Sequence, residues 1–142
     1  MAEPYYIALD PYPQEEKKHN KLYKFFEHLR EGRFTTTKCK ECGRVAWPPR
    51  TICPDCVSDN LEWINIGNIG KIYVYTVMVA GVPMGYKAPL VFALVDFPVG
   101  LRVLTPLVET APEEVKVGAE VELVVQQISR DRVLPGFRLR RH

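Results

Sequence analysis

The chain has 142 residues, 46% of them hydrophobic and 25% charged, the proportions of a soluble globular domain. Nineteen lysines and arginines oppose seventeen aspartates and glutamates, and the resulting formal charge of +2 is too near neutral for a general polyanion binder. No apolar run approaches the roughly 20 residues of a membrane helix, and Met1-Ala2-Glu3-Pro4 lacks the basic start and apolar stretch of a secretory signal, so a cytoplasmic protein with no membrane partner is expected.

Twelve prolines and nine glycines punctuate the chain and leave room for a helix only near the N-terminus. Residues 1–13, with Pro4, Tyr5, Tyr6, Pro11, Tyr12 and Pro13, read as an extended arm. From Gln14 to Glu31 nothing breaks a helix, and Leu22, Phe25, Phe26 and Leu29 recur at helical spacing to form an apolar face. Gly32 is the natural stop. That face packs on the protein's own domain or docks on a partner. His19 and His28 lie nine positions apart and point to opposite sides of such a helix, which makes them solvated surface residues unable to share a site, and His142 is terminal.

Four cysteines follow, Cys39, Cys42, Cys53 and Cys56, in the pattern C-x2-C, ten residues, C-x2-C. A disulfide scaffold spreads its cysteines along the fold, whereas two adjacent C-x2-C turns aim four sulfurs at one point, as tetrahedral zinc requires. Gly43 sits where the first knuckle needs positive φ, and Pro54 stiffens the second. Four sulfur ligands fill the coordination shell, so the Zn2+ is structural, and its binding energy stands in for the core that a 30-residue segment lacks. Iron is the rival ion, because C-P-x-C also occurs in rubredoxins. Lys38, Lys40, Arg44 and Arg50 lie close in sequence, to offset the net negative charge of the metal–thiolate unit or to meet a phosphate.

The ribbon spans about Phe34 to Ile66, with Trp47-Pro48-Pro49-Arg50 as the turn between knuckles and Leu61-Glu62-Trp63-Ile64 as a closing strand. Beyond Gly67 the pattern predicts strands over Lys71–Ala80, Leu90–Phe97, Leu101–Glu109 and Glu120–Ile128, and a last short one holding Phe137 and Leu139 on one face. Val121, Leu123 and Val125 share a face in the fourth strand. Five strands in about 75 residues suit a small closed barrel of the OB type. The long loop Gly81–Pro89 carries Pro83, Met84, Gly85, Tyr86 and Lys87, and its length points to a binding role.

Catalytic groups are scarce. The cysteines are committed to metal, and Asp96 closes an apolar strand with no second carboxylate beside it in sequence, so it reads as a turn former. Gly67-Asn68-Ile69-Gly70 is no phosphate-loop fingerprint. Residues 130–142 hold Arg130, Arg132, Arg138, Arg140 and Arg141 against Asp131 alone, a cluster that either guards an edge strand or meets an anionic ligand. Lys71, Tyr73 and Tyr75 alternate onto one face of the first barrel strand. A single-stranded nucleic-acid binder is the alternative this stripe raises, although one lysine makes a thin groove.

Taken together, Cys39-Lys40-Glu41-Cys42-Gly43, Trp47-Pro48-Pro49-Arg50, Cys53-Pro54-Asp55-Cys56 and Leu61-Glu62-Trp63 resemble the zinc-ribbon/OB-fold acyl-CoA-associated family, long labelled a domain of unknown function. Arg30-Glu31-Gly32-Arg33-Phe34, Val91–Asp96, Val117–Val121 and Pro135-Gly136-Phe137 extend the likeness from about Leu22 onward. The resemblance implies a mainly β protein: an arm and amphipathic helix over 1–33, a rubredoxin-like zinc ribbon over 34–66 and a five-stranded OB-fold over 67–142. It also implies a non-catalytic, acyl-CoA-binding subunit. Its partner would be a thiolase or hydroxymethylglutaryl-CoA synthase-like enzyme, as in the archaeal subunit that bridges those two, or a hydratase. The resemblance transfers the four zinc ligands and no catalytic residues. Arg50, Lys71, Arg102 and Arg138 are the basic side chains expected to contact acyl-CoA.

Overall fold

The computed structural model describes residues 12–141, so most of the expected arm, with Pro4, Tyr5, Tyr6 and Pro11, lies outside them, as does His142. The amphipathic helix is α1, Tyr23–Arg30, with Phe25, Phe26 and Leu29 buried beneath it. It is shorter than the Gln14–Glu31 that periodicity predicts. Asn20 breaks the pattern: its side-chain oxygen accepts from Leu22 N at 2.8 Å while its amide donates to Gln14 O at 2.7 Å, which holds the preceding segment in turns. Glu15 is buried and pulled into the barrel, paired with Arg30 and accepting from the backbone N of Val133 at 2.9 Å. His19 therefore stands before the helix, not on it. At the other end Gly32 takes φ 81° and Arg33 N donates to His28 O at 2.9 Å, closing α1 as Gly32 predicts.

The ribbon is a three-stranded sheet of β1 (Thr35–Cys39), β2 (Val45–Ala46) and β3 (Leu61–Asn65), ordered β2-β1-β3 and antiparallel throughout. β1 is built on three β-branched threonines, all buried, and each hydroxyl has a partner. Thr35 Oγ1 meets His28 Nδ1 at 2.9 Å, Thr36 Oγ1 donates to Ala46 O, and Thr37 Oγ1 accepts from Arg50 N at 2.9 Å.

The second part is a closed barrel of β4 (Ile69–Met78), β5 (Leu90–Asp96), β6 (Arg102–Leu107), β7 (Glu120–Ser129) and β8 (Arg132–Leu139), ordered β4-β5-β6-β8-β7. All neighbours are antiparallel except β6 and β8, which close the barrel in parallel at Leu107 and Phe137. A zinc ribbon followed by an OB-fold is thus the architecture. Val91, Val95, Val103, Val121 and Phe137 fill the interior. Gly70 faces inward, where a Cβ would lie 2.4 Å from the Val95 side chain, so no larger residue fits.

One core runs through helix, ribbon and barrel. Phe34 is its centre: its ring lies 5.0 Å from Trp47, 5.6 Å from Phe97, 5.4 Å from Phe137 and 6.3 Å from Phe25, in tilted or edge-on contacts. Asn68 staples the junction, accepting from Phe34 N at 3.3 Å and donating to Gly32 O at 2.7 Å.

Candidate metal centre and its surroundings

The four cysteine sulfurs lie within 4.8 Å of one another, with Cys39–Cys56 and Cys42–Cys53 both at 3.5 Å. Tetrahedral zinc with bonds near 2.3 Å demands an S···S edge of about 3.8 Å, so the four sulfurs fit such an ion. Cys39 and Cys53 are buried while Cys42 and Cys56 face solvent.

The two knuckles are copies of one turn. Cys39 N donates to Arg44 O and Cys53 N to Ser58 O, each at 2.8 Å. Gly43 N returns to Cys39 O at 2.9 Å and Val57 N to Cys53 O at 3.1 Å. The residue after each second cysteine has positive φ, 80° at Gly43 as the sequence predicts and 64° at Val57, which the sequence does not announce.

The knuckles also set the thiols apart chemically. The backbone amides of Cys56 and then Asp55 draw the Cys53 thiol down to about 7. For Cys56 the Ser58 amide favours the thiolate, but hydrogen bonding to the Cys39 sulfur first, and loss of solvation among the clustered sulfurs, outweigh it and push the thiol up to about 12. A cation at the centre would erase that difference, since a metal deprotonates every thiol that binds it. Of the nearby basic residues, Arg44 pairs with Asp55 at 3.2 Å.

Sequence reasoning missed the position of His28. It is half-buried, bonded to Thr35 and edge-on to Trp63 at 5.5 Å, which ties α1 to β1 and β3 instead of leaving a solvated imidazole. Burial first, then the Arg33 charge, holds it below the ordinary histidine range.

The structure separates the four basic candidates for acyl-CoA contact. Lys71 and Arg102 come together around Asp96, since Lys71 and Arg102 are its cross-strand neighbours on β4 and β6. Arg102 grips Asp96 with two hydrogen bonds, at 2.6 and 3.1 Å, and stacks on Tyr73 at 3.5 Å. Its guanidinium holds the Asp96 carboxyl below the usual carboxylate range, so Asp96 serves an ion pair on a strand and not only a turn. Lys71 lines a concavity of about 430 Å³ with Ile69, Phe97, Pro98 and the two acids that are its cross-strand partners, Asp96 and Glu120. Arg138 is two strands away, donating to Glu122 at 3.0 Å and Glu109 at 2.7 Å. Arg50 lies on the ribbon, exposed. Among the described residues, neither Lys71 nor Arg50 makes an ion pair.

Two expectations about charge need correction. The C-terminal arginines do not guard an edge, because β8 is flanked by β7 and β6, and the acids beside it neutralise them: Arg140 pairs with Glu120 and Arg141 with Glu114, each at 3.0 Å. The stripe of Lys71, Tyr73 and Tyr75 does not form either. A β-bulge between Ile72 and Val74 shifts the register, so Val74 shares the outer face with Lys71 while Tyr75 pairs with inward-facing Ala93.

Comparison with known proteins adds four findings. Residues 26–62 match the family model described as the ChsH2 rubredoxin-like zinc ribbon domain, and residues 63–126 match the ChsH2 C-terminal OB-fold domain. A DUF35 domain-containing scaffold protein of Pyrococcus furiosus is 36% identical over 124 residues, which cover 82% of this chain and 90% of that protein. The benzoylsuccinyl-CoA thiolase subunit BbsA of Thauera aromatica is 33% identical over 95 residues, 67% of this chain and 65% of the subunit. A solved chain described as Ltp2-ChsH2(DUF35) aldolase aligns with a TM-score of 0.70 at 29% identity, covering 82% of this chain and 91% of that one.

Proposed function

Because the chain belongs to the ChsH2, or DUF35, family of rubredoxin-like zinc ribbons joined to an OB-fold, we propose that it is a non-catalytic, acyl-CoA-binding scaffold subunit of a thiolase-type enzyme. Residues 1–33 form its arm and helix, 34–66 its ribbon and 67–142 its barrel, and it acts in the cytoplasm. A structural Zn2+ is held by Cys39, Cys42, Cys53 and Cys56. The observation that carries this reading is a four-sulfur site, whose completed shell leaves no position for a substrate, on a chain similar over most of its length to a scaffold protein. Metal analysis of the purified protein separates zinc from iron, which would colour it red.

For the CoA phosphates, Arg50 and Lys71 are the better placed of the four candidates, since Arg102 and Arg138 must first give up carboxylates.

Calorimetric titration of the zinc-loaded protein with acetyl-CoA, beside a short single-stranded oligonucleotide at moderate salt, tests this. Saturable binding of acetyl-CoA is expected, weakened about tenfold by Lys71→Glu, a loss near 1.4 kcal/mol. Binding of the oligonucleotide alone would overturn the reading.

A further inference from the structure

A second concavity, of about 270 Å³, lies where helix, ribbon and barrel meet. Its walls include Leu22, Phe25 and Phe26 at α1, Trp47 and Pro49 in the turn between the knuckles, and Leu134 of β8. Phe25 and Trp47 meet edge-on at 5.8 Å and both rings also touch Phe34, so the shared core itself sets the floor of this groove. Apart from the Trp47 indole, Asn20 is the one polar side chain in the lining, and its amide is already used: the oxygen accepts from Leu22 N and the nitrogen donates to Gln14 O. What enters the groove is therefore held by apolar contact.

The border of the groove has the opposite character. The charged residues next in the chain to its lining are Lys21, Lys24 and Arg50, all exposed, and one carboxylate, Glu27, a net charge of +2. Among the described residues none of the three cations makes an ion pair. The other acids of this segment are taken, Glu15 by Arg30 and Glu16 by Lys18, and Glu27 lines a separate concavity with Glu15 and Arg30. Basic residues of the barrel have different company: Arg102, Arg138, Arg140 and Arg141 hold carboxylates, and Lys71 lies between Asp96 and Glu120. At this groove, by contrast, unneutralised cations border an apolar hollow. Its volume lies just below the roughly 300–1,000 Å³ of ordinary small-molecule pockets, too little for the packed face of a partner helix. A hydrocarbon chain with an anionic head matches both the hollow and its border.

We propose that this groove binds a medium-length acyl chain, with the hydrocarbon against Phe25, Phe26 and Trp47 and the anionic head at Lys21, Lys24 and Arg50. The head is the carboxylate of a free fatty acid or the charged end of a CoA thioester. The site shares Arg50 with the acyl-CoA reading above and does not depend on it.

The test titrates the zinc-loaded full-length protein calorimetrically with hexanoate, octanoate and decanoate. Affinity is expected to rise about fourfold per added methylene and to level off by tetradecanoate, whose chain outgrows the groove. Leu22→Gln at the apolar wall and the double change Lys21→Glu with Lys24→Glu at the border each weaken decanoate by at least about fivefold. Lys116→Glu, the same change at an exposed lysine before β7, does not. Bound zinc and an unchanged thermal transition certify each variant's fold. Decanoyl-CoA and CoA, titrated beside decanoate, identify the source of the chain. Tighter binding of decanoyl-CoA than of decanoate or CoA assigns a thioester, and decanoate binding as tight as that of decanoyl-CoA assigns a free acid. An affinity that does not change with chain length, or decanoate binding that neither variant weakens, overturns the proposal. Decanoate binding that follows the series while acetyl-CoA fails to bind overturns the acyl-CoA reading and leaves the groove standing. The reverse result removes the groove alone.

Discussion

Val57 holds a backbone conformation that its side chain resists. It occupies in the second knuckle the place Gly43 occupies in the first, yet it is β-branched, has φ 64° and is exposed, so no packing offsets the strain. Val57→Gly removes roughly 1–2 kcal/mol of left-handed strain and costs about 0.4–1 kcal/mol of unfolded-chain entropy. The expected outcome is a variant more stable by up to about 1 kcal/mol, read from its denaturant midpoint. At this scale the sequence was legible where chemistry is local. C-x2-C spacing alone identifies the four sulfurs that the fold gathers within 4.8 Å. It was opaque where partners come from afar: Glu122 and Glu109 are remote from Arg138 in sequence and adjacent to it in the barrel.

Among the elements, α1 is anchored to the ribbon partly by a titratable contact. His28 donates to or accepts from Thr35 and packs on Trp63, with its pKa lowered by burial and by Arg33. The native state thus binds this proton less readily than the unfolded chain does. The contribution is fully present above the unfolded value near 6.5 and is lost as pH falls below it. Thermal transitions measured from pH 7.5 to 5 should fall on the acid side, and His28→Gln, which keeps a hydrogen bond without titrating, should flatten that slope. Strand positions were read well because alternation survives in Val121, Leu123 and Val125 and in Phe137 and Leu139. Helix length was overestimated because no breaker stands between Gln14 and Glu31. The break comes from Asn20 closing a turn and from burial of Glu15 against Arg30 and β8, neither of which periodicity records. The bulge at Ile72–Val74 was equally hidden, and it alone moves Tyr75 off the face of Lys71.

For the whole molecule the decisive residue is Phe34, five positions before the first knuckle's buried Cys39 and in contact with both Phe97 and Phe137 of the barrel. Structural zinc supplies roughly 10–16 kcal/mol of apparent binding energy to a ribbon, so its removal is felt beyond the ribbon. Treatment with a strong chelator should abolish the near-ultraviolet signal of Trp47 and Trp63 and lower the barrel's own thermal transition by at least about 10 °C. Readdition of zinc should restore both. An unchanged barrel transition would mean the two parts are energetically independent. The order of parts, ribbon then five-stranded barrel, was readable from the cysteines and strand spacing. The shared aromatic centre was not, because Phe34 sits in sequence as one apolar residue before three threonines. That centre also limits how such proteins can be recombined. A crossover near residue 66, the obvious seam, splits Phe34 from Phe97 and Phe137 and Asn68 from Gly32. Chimeras joining one relative's ribbon to another's barrel should fail unless these contacts are exchanged together, so the two parts behave as one unit in recombination despite their two-part appearance.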